Sequence, residues 1–79
     1  MSRERLEIAF RRGLELAPSV DVTALKYREI AEWDSIGHMA LVAEIESDFD
    51  VMLTTEQVLD LSSFDNAIEI LTSLGVQDL

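Results

Sequence analysis

The residues best suited to chemistry lie close together, at Asp34, Ser35 and His38. A serine that follows an aspartate N-cap lies in the first turn of a helix, where free backbone N–H groups and the helix dipole favour a nearby anion. A phosphodiester on Ser35 is therefore electrostatically acceptable. A hydroxyl needs an adjacent base to be a good nucleophile, so Ser35 is not expected to activate itself. Taken alone, these residues favour the plainer interpretation, an ordinary helix start capped by Asp34.

A serine hydrolase would have to pair Ser35 with His38, three residues further along the same predicted helix. The sequence around Ser35 lacks the Gly-x-Ser-x-Gly nucleophile elbow and has no evident oxyanion hole. His38 also lies on the predicted core side of the helix, as a structural histidine would. We therefore expect no catalytic residues and no enzymatic activity of the chain's own.

Composition and charge limit the possible partners. The 79 residues are 48% hydrophobic, enough for one domain over residues 1–79, and the formal net charge is −10. Positions 1–28 contain all six basic residues and four acids, whereas the other 51 residues contain 12 acids and no Lys or Arg. Nucleic acid is not an expected partner, because phosphate backbones are bound by Lys and Arg. The negative electrostatic field of residues 29–79 attracts partners with basic surfaces.

Several site types and locations are disfavoured. Cysteine is absent, which excludes disulfides, a zinc-thiolate site and a cysteine nucleophile. A calcium loop beginning at Asp48 would have Leu53 and Leu59 where glycine and the terminal glutamate belong, so no metal is expected. No apolar run approaches 18 residues and no signal peptide is visible, so we expect no membrane span and no secretion. The absence of cysteine fits a cytoplasmic location, and we expect a monomer.

The first predicted helix runs from about residue 3 to residue 17 and ends before Pro18, which disfavours helical geometry at the preceding residue. Its apolar side consists of Leu6, Ala9, Phe10, Gly13, Leu14, Leu16 and Ala17. A long connection follows, over residues 18–33. Its apolar residues predict attachment to the core: Val20, Val22, Leu25, Tyr27, Ile30 and Trp33.

Three further helices complete the prediction. The second runs over residues 35–49, with a core side formed by His38, Leu41, Val42, Ile45 and Phe49. A capping box from Thr54 to Gln57 opens a short third helix ending near residues 59–61. A similar start from Ser62 to Asp65 opens a fourth, which Gly75 stops near residue 74. The fold class is therefore all-α, a four-helix bundle with three longer helices, one short third helix and a long first loop.

The outer side of the second helix has an apolar strip where a surface helix is normally polar. Ile36, Met39 and Ala43 lie along it, with Glu44 and Glu46 at its border. An exposed apolar strip bordered by acids indicates a partner-binding surface.

The stretch Trp33-Asp34-Ser35-Ile36-Gly37-His38-Met39, followed by Leu41-Val42, Ile45, Phe49 and Asp50, resembles the acyl carrier protein family. The resemblance extends over nearly the whole chain, including the long loop and the short third helix. It implies that Ser35 bears covalent 4′-phosphopantetheine, with Asp34 as its motif neighbour. It also implies that an acyl or aminoacyl group is held there as a thioester, in a specialised lipid, fatty-acid, polyketide or peptide biosynthesis pathway.

The same resemblance implies the partners. A phosphopantetheinyl transferase, using coenzyme A and a metal ion, would modify the chain as its substrate. An acyl-loading ligase or transferase and downstream enzymes with basic docking surfaces would contact Ile36, Met39, Ala43, Glu44 and Glu46. Gly37, Ala40 and Ser47 depart from the family, since its fatty-acid members often have polar or acidic residues there. These departures argue against service to the general fatty-acid synthase enzymes, and Trp-Asp-Ser with Gly-His-Met after it resembles stand-alone carriers dedicated to one specialised pathway. The alternative is an unmodified helical domain that binds a protein through the same strip.

Overall fold

The computed structural model describes residues 2–79, and these residues form four α-helices and no strand. Helix α1 spans Ser2–Gly13, α2 spans Ser35–Phe49, α3 spans Thr55–Asp60 and α4 spans Phe64–Ser73. One 3₁₀ turn, Val22–Ala24, lies in the long loop. The predicted all-α bundle, with three longer helices and a short third one, is confirmed. No helix within residues 2–79 is both long enough and apolar enough to cross a membrane.

Phe10 lies at the centre of the core. Its ring meets Trp33 edge-on at a centroid distance of 5.5 Å and Phe64 at 5.3 Å, and all three side chains are fully buried. Aromatic pairs at these distances stabilise beyond their buried area. They join α1, the long loop and α4. Helix α1 also packs closely on α2 at Gly13. A Cβ atom at this position would lie 2.7 Å from the Cα atom of Leu41, so glycine allows the close approach.

The end of α1 corrects the sequence prediction, which extended this helix to residue 17. Glu15 adopts a left-handed conformation with φ of 53°. The N–H of Leu16 donates to the carbonyl of Arg11 at 2.9 Å, and the N–H of Glu15 donates to the carbonyl of Arg12 at 3.3 Å. This is a Schellman ending, which satisfies carbonyl groups at a helix C-terminus. It ends the helix four residues before the predicted position.

The long loop is attached to the core, as predicted. Val22, Leu25 and Trp33 are buried. Asp21 caps the 3₁₀ turn by accepting from the N–H of Thr23 at 3.1 Å. Further along, the loop runs beside the start of α4, where Lys26 and Ser63 form an isolated bridge pair. The loop therefore passes over the bundle in a defined conformation and brings its later residues to the start of α2.

The starts of α3 and α4 follow the capping rules, with one correction. Gln57 and Thr54 form the predicted capping box, with reciprocal bonds of 2.9 and 3.1 Å between side chain and backbone. The cap of α4 is Ser63, and not Ser62 as predicted. The Ser63 hydroxyl accepts from the N–H of Asn66 at 3.1 Å, so the helix begins one residue later than the sequence pattern indicated.

Candidate functional site

Ser35 is the first residue of α2, and it is exposed. Asp34 is the N-cap, as predicted, and its Oδ1 accepts from the N–H of Gly37 at 2.8 Å while its carbonyl accepts from the N–H of His38 at 2.8 Å. Helix geometry leaves the N–H groups of Ser35 and Ile36 without intrahelical acceptors. The hydroxyl of Ser35 therefore lies on the surface, next to backbone donors and the positive end of the helix dipole.

Two loop residues that sequence reasoning did not select lie beside Ser35. A guanidinium nitrogen of Arg28 is 3.3 Å from Ser35 Oγ, and the hydroxyl of Tyr27 is 3.5 Å from the same atom. The Arg28 guanidinium also lies over the Tyr27 ring, 5.4 Å from its centroid. Hydrogen bonds from Ser35 and then from Arg28 lower the pKa of Tyr27, because both stabilise the phenolate. The hydroxyl of Ser35 thus has a cation and a phenol as neighbours.

The backbone of the loop holds this pair in place. Arg28 has a left-handed φ of 66°, and its N–H donates to the carbonyl of Trp33 at 3.1 Å. The N–H of Tyr27 donates to the carbonyl of Ser62 at 2.8 Å. The half-buried Tyr27 ring lies 5.1 Å from the imidazole of His38, centroid to centroid. The loop conformation therefore determines where the guanidinium and the phenol lie.

His38 is bonded away from Ser35. Its Nδ1 accepts from the indole N–H of Trp33 at 3.0 Å, and its Nε2 lies 2.8 Å from the carbonyl of Val58. A ring nitrogen that accepts carries no proton, so Nε2 carries it and donates to Val58. Both nitrogens are engaged in links between the loop, α2 and α3, which is a structural arrangement and not that of a base for Ser35.

The structure explains why position 37 is a glycine, which the sequence alone did not show. A Cβ atom at this position would lie 2.0 Å from the carbonyl oxygen of Glu32. Only glycine lets the loop approach the first turn of α2 this closely. Next to it an open cleft of about 510 Å³ separates the end of α1 from the start of α2, and Asp34 and Ile36 are among the residues that line it. The cleft therefore borders the residues on either side of Ser35, although Ser35 itself does not line it.

The strip predicted on α2 is exposed. Ile36 is 82% and Met39 56% accessible, and Ala43 is exposed as well, whereas Leu41, Val42 and Ile45 are buried on the opposite side. Sequence reasoning did not select Leu59 on α3, which is 78% accessible. It lies on α3, a short helix none of whose residues is fully buried.

The two acids beside the strip differ in their surroundings. Glu44 is half-buried, and its pKa is raised first by desolvation and then by the nearby carboxylate of Asp48. Glu46 accepts from the N–H of Leu53 at 2.9 Å, which fixes the chain between α2 and α3. One carboxylate oxygen of Glu46 therefore has a structural role in addition to any contact with a partner.

Taken together, the arrangement presents an exposed serine hydroxyl in a setting that favours an anion, next to an exposed apolar strip. Within residues 2–79, no group of three or more His, Asp or Glu side chains is placed to hold a metal ion. Comparisons of the chain with protein-family models, curated proteins and solved structures find no match.

Proposed function

We propose that the chain is an acyl carrier protein whose Ser35 bears 4′-phosphopantetheine. The observation that carries the proposal is the exposed Ser35 hydroxyl at the N-terminus of α2, 3.3 Å from the guanidinium of Arg28. A phosphodiester formed on this oxygen would lie beside a cation and two free backbone donors, and charge-assisted hydrogen bonds of this kind are the strong ones. The residues present therefore fit the phosphate of the cofactor.

The chain supplies the acceptor oxygen and a separate transferase supplies the catalysis. Ser35 Oγ would form the new P–O bond to coenzyme A, adenosine bisphosphate would leave, and a base of the transferase would take the hydroxyl proton. His38 is not that base, because both of its ring nitrogens are engaged elsewhere. The arm supplies a terminal thiol that holds the acyl or aminoacyl group as a thioester.

The exposed strip of α2 is the proposed docking surface for the transferase, the loading enzyme and the downstream enzymes. Ile36 and Met39 provide apolar area at the helix start, next to the modified residue. Half-buried Glu44 lies near the carboxylate of Asp48 at the border of the strip, and this local negative charge, only partly offset by Arg12, favours partners with basic surfaces. A monomeric carrier in the cytoplasm, serving one specialised pathway, completes the proposal.

The absence of cysteine allows a direct test, because any thiol in the product must belong to the arm. The protein is incubated with coenzyme A and a broad-specificity transferase, freed of small molecules and titrated with a thiol reagent. We expect one thiol per chain, and none in the Ser35→Ala variant. A wild-type protein without a thiol would support the alternative, an unmodified domain that binds a protein through Ile36 and Met39.

A further inference from the structure

We infer that Arg28 and Tyr27 bind the phosphodiester on Ser35 and so fix the root of the arm against the loop. This inference rests on the proposed function. It assigns to the loop before α2 a positioning role for the cofactor, separate from the attachment residue and from the strip along the helix.

The first step of the argument is distance. The guanidinium nitrogen of Arg28 and the hydroxyl of Tyr27 lie 3.3 and 3.5 Å from Ser35 Oγ, the atom that would become a bridging oxygen of the phosphodiester. Phosphorus would be bonded to that atom, and the other phosphate oxygens, bonded to the same phosphorus, would come within hydrogen-bond reach of the same donors after small side-chain rotations. Arginine suits this task because its planar donors match phosphate oxygens.

The second step is charge. Arg28 is the last basic residue of the sequence, and residues 29–79 contain no Lys or Arg. Among residues 2–79 the one ion pair within 4.0 Å joins Arg11 to Glu7, so Arg28 brings to Ser35 a positive charge without a carboxylate partner. In a chain with a formal net charge of −10, this is the cation placed to receive an anion on Ser35.

The third step is preorganisation. Arg28 has a left-handed conformation, with φ of 66°, which is uncommon for a residue other than glycine. Its N–H bond to the carbonyl of Trp33 holds the backbone here, and its guanidinium lies over the Tyr27 ring, 5.4 Å from the centroid. Donors that are already in place lose less conformational freedom when the anion arrives.

The test uses NMR of the wild-type protein before and after complete modification of Ser35. We expect the Nε–Hε cross-peak of Arg28 to shift and its exchange with water to slow once the phosphodiester is present. The phosphorus resonance of the modified protein should move in both Arg28→Gln and Arg28→Asn. Asparagine tolerates the left-handed conformation, so the second variant removes the cation with little backbone cost.

Lys26→Gln is the matched control, because it removes one positive charge from the same loop. Lys26 is exposed and forms its bridge pair with Ser63, the cap of α4. This variant should leave the phosphorus resonance unchanged. An arm attached to Ser35 with an unmoved Arg28 cross-peak, or with a phosphorus resonance equal in wild type and both Arg28 variants, would overturn the inference and leave the carrier function standing. Failure of any arm to attach to Ser35 would overturn both.

Discussion

The indole N–H of Trp33 donates a hydrogen bond of 3.0 Å to Nδ1 of His38. Trp33 directly precedes the N-cap of α2, and His38 lies in the first turn of that helix. This bond sets the tautomer of His38 and directs its other proton to the carbonyl of Val58 in α3, at 2.8 Å. The two rings are nearly parallel, at 17°. Together they join the loop, α2 and α3, and both residues lie within three positions of Ser35 in the sequence.

The first prediction concerns this link. His38→Ala leaves the indole N–H of the fully buried Trp33 without its acceptor, and an unsatisfied buried donor costs about 1–3 kcal/mol. The free energy of unfolding, measured by urea denaturation, should fall by about that amount. Modification of Ser35 should proceed to completion in the folded variant. Unchanged stability would contradict the structural role, and loss of modification in a folded variant would implicate His38 in the reaction.

The second prediction concerns the docking surface. Met39→Glu should lower kcat/KM for transfer of the arm by the transferase about tenfold or more, because it removes an apolar contact that is worth about 1.5–3 kcal/mol when buried. Its thermal midpoint should change little, since Met39 is 56% accessible. Met52→Glu is the matched control, the same change at an 83% accessible methionine outside α2, and should have no effect. If Met39→Glu lowered the thermal midpoint markedly as well as kcat/KM, the Met39 side chain would belong to the core and not to the docking surface.

The third prediction concerns the pKa of Tyr27, the one tyrosine of the chain. Bonds from Ser35 and Arg28 stabilise the phenolate, so tyrosinate absorbance should appear at a lower pH than the ordinary value of about 10 indicates. Ser35→Ala and Arg28→Asn each remove a donor, and each should raise the pKa. Lys26→Gln should leave it nearly unchanged. A wild-type tyrosine that ionises at or above its ordinary pKa, in protein shown to be folded by circular dichroism, would refute the contact.

The fourth prediction concerns specialisation. Ala40 and Ser47 are exposed, so each can be replaced by glutamate without disturbing the core. An exposed ion pair with a basic enzyme surface is worth about 0.2–1 kcal/mol. The double variant Ala40→Glu, Ser47→Glu should therefore be used roughly two- to thirtyfold better than wild type by general fatty-acid-synthase enzymes, if the two pairs are additive. Equal use of the wild-type chain and an ordinary acyl carrier protein by malonyl-loading and condensing enzymes would contradict specialisation alone.

Much of the fold follows from local signals in the sequence. Asp34 and the apolar spacing after it predict α2 over residues 35–49, as the structure has it. Thr54 and Gln57 predict the start of α3 because the capping box is a local pattern. The early end of α1 was missed because Glu15 occupies a left-handed position usually given to glycine, and nothing near it in sequence signals this.

The candidate site was predicted only in part. The roles of Ser35 and Asp34 can be predicted from their place at a helix start. Tyr27 and Arg28 lie in a loop without periodicity, so the sequence does not predict their contacts with Ser35. Hydrogen bonds such as that from Arg28 to Trp33 fix this loop. As a departure from the family pattern, Gly37 predicts altered recognition by partner enzymes. The structure shows that it also has a packing role, since the carbonyl of Glu32 occupies the space of a Cβ atom. The effect of Gly37 on recognition stays a prediction.

The central claim is that Ser35, and no other residue, takes up phosphopantetheine. The most direct test is intact and fragment mass spectrometry of the protein after incubation with coenzyme A and a broad-specificity transferase. We predict a gain of one phosphopantetheine mass localised to Ser35, and no gain in Ser35→Ala, which should fold normally because the position is exposed. An unmodified wild-type protein, or modification of Ser35→Ala at Ser47, Ser62 or Ser63, would contradict the claim.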